Sequence, residues 1–230
     1  MSSNSPAFDF DKARFNMIEQ QIRPWEVLDA QVLHLLSVVH REDFVPPAYK
    51  HLAFVDMEIP LGALEGERML APKVEARALQ ELALQKSDKV LEIGTGSGHM
   101  AALLASQCAS VTTLEINPQL AQTARNNLAQ AGITNVDVRT ADAAAHRFSA
   151  CNADAPYDAI VLSGSVSEVP ADLLDLLKTG GRLFAITGQE PVMRASLVKR
   201  AGPAAFHTVQ PWDTVATRLL NVPQTTSFRF

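Results

Sequence analysis

Between Lys89 and Gly98 the chain reads KVLEIGTGSG, a short apolar strand delivered straight into three glycines at alternate positions. Val90, Leu91 and Ile93 form the compact apolar run that a strand buried on both faces requires. Gly94, Gly96 and Gly98 follow at once, so the backbone can turn sharply and bring its N–H groups close to a ligand. The next segment, HMAALLASQC, reads as a helix whose positive N-terminal end faces the same point. Ser110 to Ile116 then supplies a second apolar strand. It carries Glu115 about 20 residues beyond the first glycine, where a carboxylate that holds ribose hydroxyls is expected. This order predicts a nucleotide-like cofactor against Gly94, Thr95, Gly96 and Gly98, with Glu115 and Ile116 at the end of the second strand. A dinucleotide fingerprint places its third glycine about five residues after the first. Here Gly98 comes four after Gly94 and His99 takes the fifth place, which argues against NAD or FAD.

The remaining pattern builds a sheet around that turn. A helix over 74–84 feeds the first strand, and strands near 110–116, 136–141, 157–163 and 181–187 alternate with helices near 118–131, 170–178 and 191–201. Such alternation predicts an α/β fold, a doubly wound and mainly parallel sheet with the cofactor crevice at the carboxyl ends of its strands. The tail from Phe206 to Phe228, with Thr208, Val209, Thr217 and Leu219 around Pro211 and Pro223, reads as closing antiparallel strands. Upstream, residues 1–7 are small and polar and read as a frayed terminus. From Phe8 to Tyr49 the spacing is helical, with Phe15, Ile18 and Ile22 on one face and a second helix over 27–39. Residues 50–72 read as an irregular connector that can drape over the crevice. The division is therefore a helical appendage with connector or lid over 1–72 and a cofactor-binding domain over 73–230.

At 230 residues and 47% hydrophobic, the chain can bury a full core. A net charge of −5 offers no general attraction to phosphate backbones, so nucleic acid is not an expected partner. Two cysteines, Cys108 and Cys151, lack metal-ligand spacing and suit the reducing cytoplasm; no metal site is predicted. No stretch has the length and apolarity of a membrane span. The sequence does not fix an oligomeric state.

Position proposes further site residues. Asp142 and Ala143 follow the third strand, where the carboxylate either meets an adenine edge or caps a helix over 143–146. Ser163 and Gly164 end the fourth strand, above the place of reaction. Gly180-Gly181 reads as a plain turn. His99 is the histidine best placed to serve as a base, against the simpler reading of a polar side chain in the first helical turn. Trp25 and Trp212 read as packing the appendage and the tail onto the core.

The G-x-G-x-G run preceded by Glu92 resembles motif I of class I S-adenosylmethionine-dependent methyltransferases, in which the acid at the second strand end, here Glu115, holds the ribose hydroxyls. Adding Arg41-Glu42-Asp43-Phe44-Val45-Pro46 and Pro72 ahead of a helix with Ala76 and Arg77, the stretch of roughly 40–190 resembles the protein-L-isoaspartate O-methyltransferase family. The resemblance implies a Rossmann-like fold, S-adenosyl-L-methionine as cofactor, and a protein or peptide acceptor whose isoaspartyl side carboxylate is esterified to begin protein repair. It also places Met69, Leu70 and Pro72 on the substrate side. That family carries a Thr-Ile-Ser-x-Pro segment with its serine at the methyl-transfer site; here the run is Arg68-Met69-Leu70-Ala71-Pro72, and Leu70 stands in the serine's place. The family's closing Arg-Phe-Val-Pro-Leu segment has no counterpart. These departures leave open a different acceptor, including a small molecule, with Met69 and Leu70 in an apolar pocket, and a cofactor-binding protein without catalysis.

Overall fold

The computed structural model describes residues 8–62 and 66–224. The polar start, 1–7, and the Phe228 end of the tail lie outside the described residues. The first helix, α1 (Phe10–Met17), starts where the Asp9 carboxylate accepts the Lys12 N–H at 3.0 Å. It continues into a π turn over Ile18–Ile22 that shifts its inward face: Met17, Ile18 and Ile22 are buried, whereas Phe15, expected beside them, faces solvent. Helix α2 (Ala30–Val38) is capped by Asp29, which accepts from Gln31 and Val32, and buries Val32, Leu33, Leu35 and Leu36.

The connector holds a two-stranded ribbon, β1 (Ile59–Pro60) against β2 (Arg68–Met69). The chain then runs through α3 (Pro72–Leu82), β3 (Lys89–Ile93), α4 (His99–Ala105), β4 (Ser110–Glu115), α5 (Pro118–Gln130), β5 (Val136–Thr140), β6 (Tyr157–Val166), α6 (Ala171–Leu174), β7 (Leu177–Gln189), β8 (Val192–Gly202), β9 (Ala205–Val209) and β10 (Asp213–Thr214). The sheet order is β10-β8-β7-β6-β3-β4-β5, with β9 also on β8. β5, β4, β3, β6 and β7 pair in parallel, and β8, β9 and β10 close the sheet antiparallel. Alternate side chains feed the two faces: Val90, Ala159 and Val161 pack under α3 and α4, while Leu91, Ile160 and Leu162 pack on the other side. The apolar residues of α1 and α2 join the first of these cores.

Three expectations are corrected. The helix expected over 191–201 is β8, an antiparallel partner of β7 from Gln189↔Val192 to Arg182↔Lys199. Met193, Ala195 and Leu197 alternate along it, and the pairing overrides the helical propensity of Met, Arg, Ala, Leu and Lys. Gly180-Gly181 lies inside β7, at the register shift between Tyr157↔Leu177 and Ala159↔Arg182, and not in a turn that precedes the strand. Thr217 and Leu219 are not in antiparallel strands: residues 215–222 cross the carboxyl ends of the parallel strands as an extended strap, touching β6 through a parallel bridge between Arg218 and Ser165. Trp212 is buried against Phe184, whereas Trp25 stays partly exposed beneath the Lys73 ammonium.

Candidate active site

The glycine turn leaves β3 with Gly94 at φ +93° and Gly98 at φ +88°, backbone that side chains with a Cβ rarely adopt. A Cβ on Gly94 would lie 2.9 Å from Leu219 Cδ2, inside the cleft. Gly98 serves a different end: its Cβ would press at 3.3 Å on Ala124 and Leu128 of α5, so this glycine brings α4 against α5 and lines no cavity. Glu115 closes β4, its Oε2 accepting the Gly96 N–H at 2.8 Å and its Oε1 the Asn117 N–H at 3.0 Å. Burial pushes its carboxyl up, against the lowering effect of those N–H groups. Each oxygen keeps a lone pair for a hydroxyl.

Gly94, Gly96 and Glu115 border a cleft at the carboxyl ends of the parallel strands. Ile116, Asp142, Ala143 and Ser163 line it with them. Asp142 both turns the chain and ties down the strap: Oδ1 accepts from Ala144 N–H at 3.0 Å and Oδ2 from Asn221 Nδ2 at 2.8 Å. No helix forms over 143–146; residues 143–148 form turns that lead into a 3-10 helix over Ser149–Asp154. Glu92 is fully buried and absent from the lining of the cleft, which it reaches through Ser163, whose hydroxyl donates to Oε1 at 2.7 Å. Burial pushes the Glu92 carboxyl up to about 8, in spite of the hydroxyls of Thr113 and Ser163.

A smaller cavity of about 250 Å³ opens beside the glycine turn, lined by Met69, Leu70, Glu75, Thr95, His99 and Ser163. Thr95 is buried and shares a 2.7 Å hydrogen bond with Thr113. Pro72 lines neither space; it is the first residue of α3, where its fixed φ and missing N–H suit a helix start. Behind this cavity lies a buried charge cluster. The Arg41 guanidinium donates to the Glu75 carboxylate and, at 2.7 Å, to the Leu70 carbonyl. His99 Nδ1 sits 3.0 Å from Glu75 Oε2 and 3.3 Å from Arg41 Nη1, and the buried Nε2 has no hydrogen-bond partner among the described residues. Burial alone would push the Glu75 carboxyl up; Arg41 and His99 outweigh it and hold it below its ordinary value.

The strap and the connector supply wall residues that sequence reasoning missed. The Glu58 carboxylate accepts both the Thr217 N–H at 2.9 Å and its hydroxyl at 2.7 Å, and Leu61 and Leu219 cover the turn from either side. One signal was present: Pro211 and Pro223 bracket the strap, and proline disfavours a continuous paired strand. Among the described residues no group of three or more His, Cys, Asp and Glu comes together to hold a metal ion, and no helix is long and apolar enough to cross a membrane.

A parallel sheet that turns through glycines at β3, with an acid at the end of β4 and a cleft across both, defines a class I S-adenosylmethionine-dependent methyltransferase. A crystal structure from Plasmodium falciparum, assigned to the protein-L-isoaspartate O-methyltransferases and solved with S-adenosyl-L-homocysteine, superposes with a TM-score of 0.73 over 92% of this chain and 98% of its own; at 17% identity it speaks for the fold. The family model of Protein-L-isoaspartate(D-aspartate) O-methyltransferase matches residues 12–214. The protein-L-isoaspartate O-methyltransferase of Methanoculleus marisnigri is 40% identical over 83% of this chain and 84% of its own length. Protein-L-isoaspartate O-methyltransferase 1 of Syntrophobacter fumaroxidans is 36% identical over 87% and 91%. The chain belongs to the protein-L-isoaspartate(D-aspartate) O-methyltransferase family.

Proposed function

We propose that this protein methylates a carboxylate of a protein or peptide, an isoaspartyl side chain being the first acceptor to test. The observation that carries the reading is that two spaces meet at the Gly94 turn, the cleft across the strand ends and a smaller cavity, with Ser163 in the wall of both. S-adenosyl-L-methionine, when bound, supplies an electrophilic methyl group: the acceptor oxygen forms a bond to that carbon as the carbon–sulfur bond breaks, and the electron pair stays on sulfur. The chain's own residues hold and align. Glu115 would accept the ribose hydroxyls, Asp142 and Ala143 would flank the adenine, and the turn of Gly94, Thr95 and Gly96 would let backbone approach the ligand. Glu92, through Ser163, supports the floor of the reaction site. An ionised carboxylate is already a nucleophile, so this acceptor needs no base; alignment and exclusion of water carry the catalysis. In this reading residues 1–72 contribute the acceptor side, including Met69 and Leu70, and 73–230 bind the cofactor. The reading assigns the cytoplasm, where the buried thiols of Cys108 and Cys151 stay reduced.

One observation favours a second reading. Leu70 offers the acceptor no hydrogen bond, while His99, whose Nδ1 meets Glu75, borders the same cavity with no hydrogen-bond partner on Nε2 among the described residues, and in the tautomer with Nε2 unprotonated it would suit an acceptor with a proton to lose. The deciding experiment is transfer of labelled methyl from S-adenosylmethionine to a peptide with one isoaspartyl residue, beside the same peptide with normal aspartate, with cofactor binding followed in parallel. Selective, base-labile labelling supports carboxylate methylation. Cofactor binding without labelling refutes it for isoaspartyl and moves the search to hydroxyl and amine acceptors.

A further inference from the structure

Carboxylates outnumber cations along the cofactor cleft. Glu58, Glu67, Glu115 and Asp142 all line it, in a chain of net charge −5. An anionic acceptor approaching this lining meets like charge, so carboxylate methylation here calls for a cation at the acceptor side. Two arginines line the cleft, Arg68 and Arg218. Arg218 is committed to the fold: its guanidinium donates to the Gly188 carbonyl at 2.9 Å and its backbone bridges to Ser165. Arg68 is exposed and, among the described residues, has no hydrogen-bond or ion-pair partner. It also borders the smaller cavity with Leu70 and Ser163, and the open groove that leads outward past Met57 and Val215.

The backbone on either side of Arg68 is held while its side chain is free. β2 pairs Arg68 with Pro60, the Leu61 N–H donates to the Glu67 carbonyl at 2.8 Å, and buried Arg41 grips the Leu70 carbonyl at 2.7 Å. In an extended segment residues two apart project to one side, and Arg68 and Leu70 accordingly line the same two spaces. Leu70 cannot hydrogen-bond an acceptor; the guanidinium two residues earlier can, with a planar fork that matches both oxygens of a carboxylate.

We propose that Arg68 is the acceptor-recognition residue, binding an anionic carboxylate at the mouth of the smaller cavity and directing it toward the Gly94 turn. The inference rests on the carboxylate-methylation reading and names the group that selects the acceptor. The test compares wild type, Arg68→Gln and Arg68→Lys with the isoaspartyl peptide, together with calorimetric affinity for S-adenosylhomocysteine. Arg68→Gln is expected to raise KM roughly 10- to 100-fold, the span of one hydrogen bond to a charged group, with S-adenosylhomocysteine affinity unchanged within about twofold. Arg68→Lys, keeping the charge and losing the fork, is expected to recover part of the loss, and the salt dependence of KM should flatten in Arg68→Gln. A KM in Arg68→Gln within about twofold of wild type overturns the inference and leaves the methylation reading standing. Should wild type fail to label the peptide, calorimetry of that peptide with the S-adenosylhomocysteine-loaded protein decides. Binding that weakens in Arg68→Gln upholds the recognition role while the proposed activity fails, whereas no binding, or equal binding by both proteins, overturns the role.

Discussion

Removal of Arg41 tests the buried cluster behind the smaller cavity. Its side chain is 2% exposed, as is that of Glu75, and it satisfies the Glu75 carboxylate and the Leu70 carbonyl together. Arg41→Met leaves an anion in the core with only His99 beside it, at a cost of about 3–5 kcal/mol for a broken buried pair. The Leu70 carbonyl loses its donor as well, worth about 1–3 kcal/mol. Against a total stability of about 5–15 kcal/mol, that is a large share. Arg41→Met/Glu75→Leu removes both charges and keeps the second loss, with His99 Nδ1 also parted from Glu75, so the double variant should be more stable than Arg41→Met and the cycle strongly non-additive. Urea unfolding of the four proteins without cofactor measures the cycle; additive losses would refute the reasoning. The pH dependence gives an independent check. The Glu75 carboxyl is held below its ordinary 4.5, so its contribution is present above that value and disappears as pH falls through the lower folded value. In Arg41→Met burial acts with less opposition and raises the group, so the variant's deficit against wild type should shrink as the pH is lowered from 8 toward 5.

Three further outcomes follow from the site. Glu115→Ala should weaken S-adenosylhomocysteine binding roughly 10- to 100-fold, by calorimetry, because hydrogen bonds to a charged group are lost; an unchanged affinity would remove Glu115 from the ribose site. Glu92 has a folded value raised to about 8 from 4.5, so wild type should lose stability relative to Glu92→Gln as pH rises between those values and hold a constant offset above about 8. Urea midpoints from pH 4 to 9 that track each other would contradict a buried, neutral carboxyl. Gly98→Ala should cost about 1–2 kcal/mol from left-handed backbone, with added crowding against Ala124 and Leu128, and appear as a lower melting temperature without a proportionate loss of cofactor affinity.

The cofactor half of the site was legible because its demands are local. A turn at φ +93° selects glycine at position 94, and a strand that ends beside it puts an acid at position 115; both requirements are written into a few consecutive residues. The walls around it were not, because their contacts join residues far apart in the chain. Arg41 meets Glu75 across 34 positions, and Glu58 meets Thr217 across 159. No periodicity records such pairs. The mistaken helix over 191–201 has a related cause: Ser196 and Val198 are buried on one face and Met193, Ala195 and Leu197 on the other, so the alternation of a two-sided strand is masked when both faces are covered. The strap failed differently, because its β-branched residues read as sheet while their backbone partners are the end of β6 and a connector carboxylate.

That strap bears on how, in the proposed reading, a leucine can stand beside the site of methyl transfer. Water competes with a carboxylate for alignment and weakens electrostatic interactions, so the proposed chemistry gains from its exclusion. Leu61, Leu70 and Leu219 reach the glycine turn from three separate segments, and two of them touch it where a Cβ would otherwise be: Leu219 at 2.9 Å from that position on Gly94, Leu61 at 2.9 Å from that on Gly96. The missing side chains of the turn therefore serve two partners, a ligand on one side and an apolar cover on the other. An apolar residue at position 70 extends the cover to the acceptor side. Such a site must bring in its charge recognition from a side chain that projects past the leucines, and the exposed Arg68 on β2 has that placement.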